Sequence, residues 1–446
     1  MSYQQKYNTF RLTFPEFVYE SYHYDVQSDG LHIAFRFRLN DNLIFEPTAF
    51  IPARLFYEYS LCKEQMDILV FNIGMVELIS YWKAFCPPVV RVLPHGLSPK
   101  QVAFWKKLYY NGLGEFFYVN GIRATERNFM TIVADGTALQ PCAFPMRAAS
   151  QYIVPIGGGK DSVVTLDMLS QIGSPLPLVM NPRGATLECC RVAGFGRTDF
   201  IEIQRLIHPL LLDLNAKGAL NGHTPFSAML AFYTLLASAL VGRPNIALSN
   251  ESSANEATVV GSNVNHQYSK SLEFENDFRA YVSEFVSPSF NYFSFLRPLS
   301  ELQIAMLFAR LPQFHEVFRS CNVGSKQDVW CGHCAKCLFA FIILSPFLPI
   351  DKLMHIFGHN LLDDESLRIP FRQLTGLEPT KPFECVGTIA EVHTALRMFM
   401  LRNESAPLPL LLRDFAPSDE SVPLHGLRSC SNLNAVELSL IESHVL

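Results

Sequence analysis

The chain has 446 residues, 49% hydrophobic and 17% charged, with a formal net charge of −5. That length and apolar content exceed one ordinary domain and predict two or three, each able to bury its own core. The acidic balance argues against a broad basic surface for nucleic-acid backbones and leaves room for a small acidic substrate held by a few arginines.

The first residues, Met1-Ser2-Tyr3-Gln4-Gln5-Lys6-Tyr7, lack the apolar stretch of a secretory leader, so a cytoplasmic protein is expected. Residues 1–150 contain alternating runs such as Leu31-His32-Ile33-Ala34-Phe35-Arg36-Phe37-Arg38-Leu39, which suit half-buried antiparallel strands, and helical stretches at 66–84 and 99–110. An N-terminal α+β domain that holds substrate or partner is expected there.

From 151 to 337 short apolar runs (152–156, 176–180, 199–204, 245–249) alternate with helical ones (162–172, 225–241). This order predicts an α/β fold, a doubly wound parallel sheet with ligand loops at the carboxyl ends of its strands. Residues 224–242 are uncharged and of marginal membrane-spanning length. Their flanks read as soluble helix ends, with His223-Thr224-Pro225 an N-cap followed by proline at the first helical position and Gly242-Arg243-Pro244 a stop, so a buried helix and no membrane span are expected. Residues 338–446 are punctuated by Pro and Gly and predict a helical C-terminal region.

The segment most informative about chemistry is Gly157-Gly158-Gly159-Lys160-Asp161-Ser162, between the apolar run 152–156 and a helical pattern. Strand, glycine loop and helix together form an anion-binding arrangement, because glycines let phosphate oxygens approach the backbone and the first helical N–H groups are unpaired. The glycine spacing fits neither a Walker A loop nor a dinucleotide fingerprint. It resembles instead the PP-loop, Ser-Gly-Gly-x-Asp-Ser, of the ATP pyrophosphatase (HUP-like) superfamily, with Gly157 in place of the first serine. The resemblance implies ATP held by its β- and γ-phosphates, Asp161 near Mg²⁺ and Lys160 neutralising charge.

Cys321, Cys331, Cys334 and Cys337 form a Cys-x₉-Cys-x₂-Cys-x₂-Cys cluster whose two-residue gaps let thiolates converge on one ion. Four thiolates suit a closed, structural Zn²⁺ site; an iron–sulfur cluster is the alternative, and His333 is read as a bystander. A similar cluster follows the PP-loop domain in the nitrile-forming enzymes of 7-deazaguanine synthesis.

Two further segments, Ser249-Asn250-Glu251-Ser252-Ser253-Ala254-Asn255-Glu256 and Asn263-Val264-Asn265-His266-Gln267-Tyr268-Ser269-Lys270-Ser271, follow a strand end, where such sheets bind ligands. With the loop, the cysteines and Lys381-Pro382-Phe383-Glu384-Cys385, they resemble the UDP-N-acetylmuramoyl-L-alanyl-L-glutamate epimerase family, MurL, over essentially the whole chain. The resemblance implies conversion of the terminal L-Glu of UDP-MurNAc-L-Ala-L-Glu to D-Glu, with ATP split to AMP and pyrophosphate, in cell-wall precursor synthesis. No nucleic-acid partner is expected.

Such a reaction needs one or two proton carriers, for which His223, Glu251, Glu256 and His266 are candidates, while Lys270 suits an α-phosphate. Arg183, Arg191 and Arg197 follow the second strand of this region and suit a carboxylate or diphosphate. Two other functions fit the same residues: an ATP-dependent amide- or nitrile-forming ligase, and a nucleotide-binding regulator without turnover.

Overall fold

The computed structural model describes residues 2–57, 60–147, 150–259 and 264–446; Asn263 of the second segment above lies outside them. In chain order the first elements are α1 (Tyr3–Thr13), β1 (Glu16–Val26), β2 (Gly30–Asn40), β3 (Leu43–Phe45), β4 (Thr48–Pro52), α2 (Lys63–Trp82), β5 (Val89–Val92), α3 (Pro99–Gly112), α4 (Gly114–Val119) and β6 (Thr131–Val133). There follow β7 (Gln151–Pro155), α5 (Lys160–Leu169), β8 (Ser174–Met180), α6 (Gly184–Val192), β9 (Ile201–Leu206), α7 (Pro209–Ala216), α8 (Phe226–Val241) and β10 (Asn245–Leu248). The last are α9 (Leu272–Phe285), β11 (Asn291–Ser294), α10 (Glu301–Ala309), α11 (Ala335–Leu344), α12 (Ile350–Phe357), α13 (Arg368–Leu374), α14 (Ile389–Arg402) and α15 (Ala435–Val445). The fold is α/β with mixed strand directions, and the alternating and βα patterns of the sequence fall on strands and helices within a few residues.

The chain forms two compact units, one of residues 1–153, 201–246 and 267–292, the other of 154–200, 247–266 and 293–446. The division therefore does not follow linear boundaries at 150 and 337. The physical reason is non-local pairing: β9 joins β4 in antiparallel register, Thr48 opposite Leu206, and carries its chain segment into the first unit.

In the first unit the strands run β9-β4-β2-β1-β5-β6, with β3 on β2. The β1–β2 and β2–β4 pairs are antiparallel, whereas β5 lies parallel to both β1 and β6. Helix α2 is buried along nearly its whole length, packing on β1 and α8. At Gly74 it comes so near β1 that an added Cβ would collide with the Tyr19 hydroxyl. Glu77 of α2 is fully buried and takes both Arg205 Nε (2.5 Å) and an Arg205 terminal nitrogen (2.7 Å), with Tyr233 Oη at 3.0 Å. We expect Glu77→Ala to lower unfolding stability by about 3–5 kcal/mol, because it strands a buried guanidinium. Denaturant unfolding checks this, and a loss below about 1 kcal/mol would mean that water reaches Arg205.

Helix α8 is buried and ends at Gly242, whose φ of 68° is the left-handed conformation that glycine supplies at helix ends. It starts one residue later than its N-cap pattern predicts, at Phe226 with Pro225 as N-cap, because the Thr224 hydroxyl is taken by Lys83 Nζ at 2.7 Å instead of capping the helix. Among the described residues no helix is long and apolar enough to cross a membrane.

The remaining strands run in the order β11-β10-β7-β8, with β8 in the second unit and β7, β10 and β11 each starting in the first unit and ending in the second. The chain leaves β7 for β8 on one side and later returns to β10 on the other, so β7 sits at a topological switch point, where open α/β sheets bind ligands. Because β10 lies parallel to β7, Asn245 opposite Tyr152, the segments following both strands emerge at the same end. Helices α10, α11, α13 and α14 pack together beside α5.

Candidate active site

The glycine loop occupies that switch point. Strand β7 ends at Pro155, Gly159 is the N-cap of α5, and Lys160, Asp161 and Ser162 form the helix's first turn. Gly158 adopts φ +83°, and a Cβ there would press on Ala185 and Thr186 at 3.1–3.2 Å, so α6 fixes the glycine requirement. A Cβ on Gly157 would meet nothing within 4 Å, so this position has room for the serine usual in PP-loops. The Ser162 hydroxyl donates to the Gly159 carbonyl at 3.1 Å.

Lys160 is buried, its Nζ held by Asp161 Oδ1 at 2.5 Å and by Glu301 of α10. Burial opposes its charge, but the two carboxylates outweigh burial and lift its pKa above the ordinary lysine value. Glu301 is pushed up to about 7, chiefly by burial, with Lys160 opposing and Asp161 and Glu251 adding to the rise. Its backbone N–H donates to Glu391 Oε1 at 2.7 Å, and Glu391, which also closes the capping box of α14 with Thr388, is likewise raised by burial to about 7. Three acids and one lysine thus meet under the loop, a composition that favours a cation accompanying any phosphate. Glu301 and Glu391 were not singled out in the sequence: Ser300-Glu301-Leu302-Gln303 and Thr388-Ile389-Ala390-Glu391 read as capping boxes, which they also are.

The segment after β10 stands beside this cluster. Glu251 is buried and its carbonyl accepts from Arg297 at 2.6 Å, Arg297 being itself fully buried and bonded to the Ser294 hydroxyl. Among the described residues the buried Ser249 and Ser253 hydroxyls have no hydrogen-bond partner, which marks polar space at the strand's carboxyl end. Glu256 is paired with buried Lys381, and the His266 backbone N–H donates to the Thr258 hydroxyl at 3.0 Å.

The other candidates are distributed differently. His223 and Lys270 belong to the first unit, where His223 Nδ1 lies 3.4 Å from Glu115 Oε2 and Lys270 ends a short 3₁₀ turn. Arg183 starts α6 with an exposed side chain; Arg191 is exposed and paired with Glu188 at 2.8 Å, and Arg197 is exposed in the following loop. The arginine beside the glycine loop is one not singled out in the sequence, Arg319, whose backbone N–H donates to the Gly158 carbonyl at 2.7 Å.

The four clustered cysteines are brought together, with one sulfur from each within 4.8 Å of all the others. The Cys321–Cys334, Cys331–Cys337 and Cys334–Cys337 sulfurs are 3.8, 3.7 and 3.4 Å apart. A tetrahedron of thiolates around zinc has sulfur edges of about 3.8 Å, so the set fits that ion. Backbone N–H groups of Gly324, His333 and Cys337 point at Cys321, Cys331 and Cys334 sulfurs at 3.1–3.4 Å, and hydrogen bonding, first from Cys337, holds the Cys334 thiol down at about 5. His333 is turned to solvent beside Asp364.

Residues 9–295 match the family model described as MurL N-terminal domain, and residues 317–421 the MurL C-terminal domain. Among the relatives, the UDP-N-acetyl-alpha-D-muramoyl-L-alanyl-L-glutamate epimerase of Salinispora tropica is 36% identical over 348 residues, 76% of this chain and 75% of that one. Proteins of the same name from Xanthomonas oryzae pv. oryzae and Micromonospora sp. are each 35% identical, over 76% of both chains. With both family domains matched in order and identity at this level over three quarters of its length, the chain belongs to the MurL family.

Proposed function

We propose that this protein is an isomerase that epimerises the terminal L-Glu of UDP-MurNAc-L-Ala-L-Glu to D-Glu by way of an acyl adenylate, releasing AMP and pyrophosphate. The epimerase names of its relatives support the isomerisation. The observation that carries the ATP dependence is the glycine loop at the switch point of the sheet, with Lys160 and Asp161 in the first turn of α5.

In this reading an oxygen of the glutamate α-carboxylate attacks the α-phosphorus of ATP and pyrophosphate leaves. The carboxylate would otherwise make Cα deprotonation place two negative charges side by side; as a mixed anhydride its carbonyl is neutral and accepts the electron pair from the C–H bond. A base removes the proton, an acid returns one on the opposite face, and water then cleaves the anhydride to AMP and carboxylate. Glu251, Glu256, His223 and His266 are the proton carriers to test, and Lys270 a group for the α-phosphate. The exposed Arg183, Arg191 and Arg197 remain substrate-gripping candidates. Asp161 offers a hard oxygen ligand for Mg²⁺, which supplies charge neutralisation of the phosphates when bound. The four cysteines would hold a structural Zn²⁺.

The test is incubation with ATP and UDP-MurNAc-L-Ala-L-Glu in D₂O, with chiral analysis of glutamate and assay of AMP. We expect D-Glu carrying deuterium at Cα, formed only with ATP. Product without solvent deuterium would refute the carbanion, epimerisation without AMP would refute adenylation, and an amide or nitrile product would establish the ligase reading.

A further inference from the structure

We infer that Arg319 is the cation that grips the phosphate chain at the glycine loop. The inference rests on the ATP reading of that loop and adds a residue to it.

Its position is fixed by the loop itself. The Arg319 backbone N–H donates to the Gly158 carbonyl at 2.7 Å, and Cβ of the next residue, Ser320, lies 3.4 Å from where a side chain on Gly159 would begin. The guanidinium is within electrostatic reach of Glu316, Cys189 and Asp328. Cys189 Sγ contacts the same Gly158 carbonyl at 3.7 Å, and the Asp328 carboxylate accepts from the Ala185 N–H at 3.1 Å, so two of these three groups lie where α6 meets the loop.

Charge bookkeeping singles it out. Lys160 is already committed to Asp161 and Glu301. Among the described residues Arg319 forms no ion pair with a carboxylate and its buried Nε has no hydrogen-bond partner, while one terminal nitrogen donates to its neighbour's carbonyl, Phe318 O, at 2.7 Å. Burial holds its pKa below the ordinary arginine value, outweighing the opposing pull of Glu316, Cys189 and Asp328. A planar fork with five donors, one of them buried and unpaired, is matched to phosphate oxygens, and the departing pyrophosphate gains charge as its bond to the α-phosphorus breaks.

Calorimetry with inorganic pyrophosphate, Mg²⁺·ATP and AMP on wild type, Arg319→Gln and Arg319→Lys tests this. Arg319→Gln should weaken pyrophosphate and ATP binding about 10–100-fold and leave AMP within about 2-fold, since charge-assisted contacts reach only the phosphate chain. Arg319→Lys should recover part of the loss, because it keeps the charge without the fork. A purely architectural role would weaken all three ligands together, and that outcome, or unchanged pyrophosphate binding, overturns the assignment. A wild type that binds neither ATP nor pyrophosphate overturns the ATP reading itself, and the assignment with it.

Discussion

Replacing Asp161 with alanine should reduce pyrophosphate release by at least about 10²–10³-fold, the scale on which single electrostatic stabilisers of a transition state act. Two roles would be lost together. The carboxylate is the acid of the first turn of α5, and it is one of the two groups that fix the Lys160 ammonium. Folding should change little. The Asp161 side chain is 29% exposed, Glu301 remains on Lys160 in the variant, and an acid in the first turn of a helix contributes only about 0.3–1 kcal/mol. The measurement is pyrophosphate release beside a thermal unfolding curve. Normal release from a folded variant would remove the loop from the chemistry, and a variant that fails to fold would show that the Lys160 pair is architectural.

Local patterns carried much of this site, and their reach ended where pairing became non-local. The glycine loop, the strand before it, the helix after it and the cysteine spacing are contiguous signals, and each fell where hydrogen bonding or thiol convergence requires. Glu301 was hidden because its own neighbourhood accounts for it: it follows an N-cap serine in a capping box, and nothing local points to a lysine 141 positions earlier. Arg319 was hidden for a similar reason, since its tie to the loop is a backbone N–H, which every residue but proline possesses. The arginines that did attract notice lie close behind a strand, yet Arg191 spends its charge on Glu188, three residues away on the same helix. The two units interleave along the chain for the reason that hid Glu301. The β9 segment also pairs antiparallel with β4, about 150 residues upstream, a partnership that no local pattern announces. Glu77 and Arg205, 128 positions apart, join the same two stretches with a buried pair that leaves no periodic trace.

Metal analysis of the protein as purified should give about one zinc per chain, and its removal should cost more stability than any substitution above. Cys337 is buried in the first turn of α11, a helix buried along its whole length, and Cys321 and Cys331 come from the irregular chain before it. One ion would therefore tie that chain to the centre of a helical core. Zinc binding to four thiolates is worth about 10–16 kcal/mol at neutral pH. A whole domain is stable by only about 5–15 kcal/mol, so the metal-free second unit should not hold its fold. Chelation should bring unfolding at ordinary temperature, and Cys337→Ser should behave like the chelated wild type. Because thiols must lose their protons to bind, acid should release the ion and reproduce the effect. Well-folded protein free of both zinc and iron, with an unfolding curve indifferent to chelator, would show that the four sulfurs pack as thiols; iron in place of zinc would make the site a cluster and leave its stapling role intact.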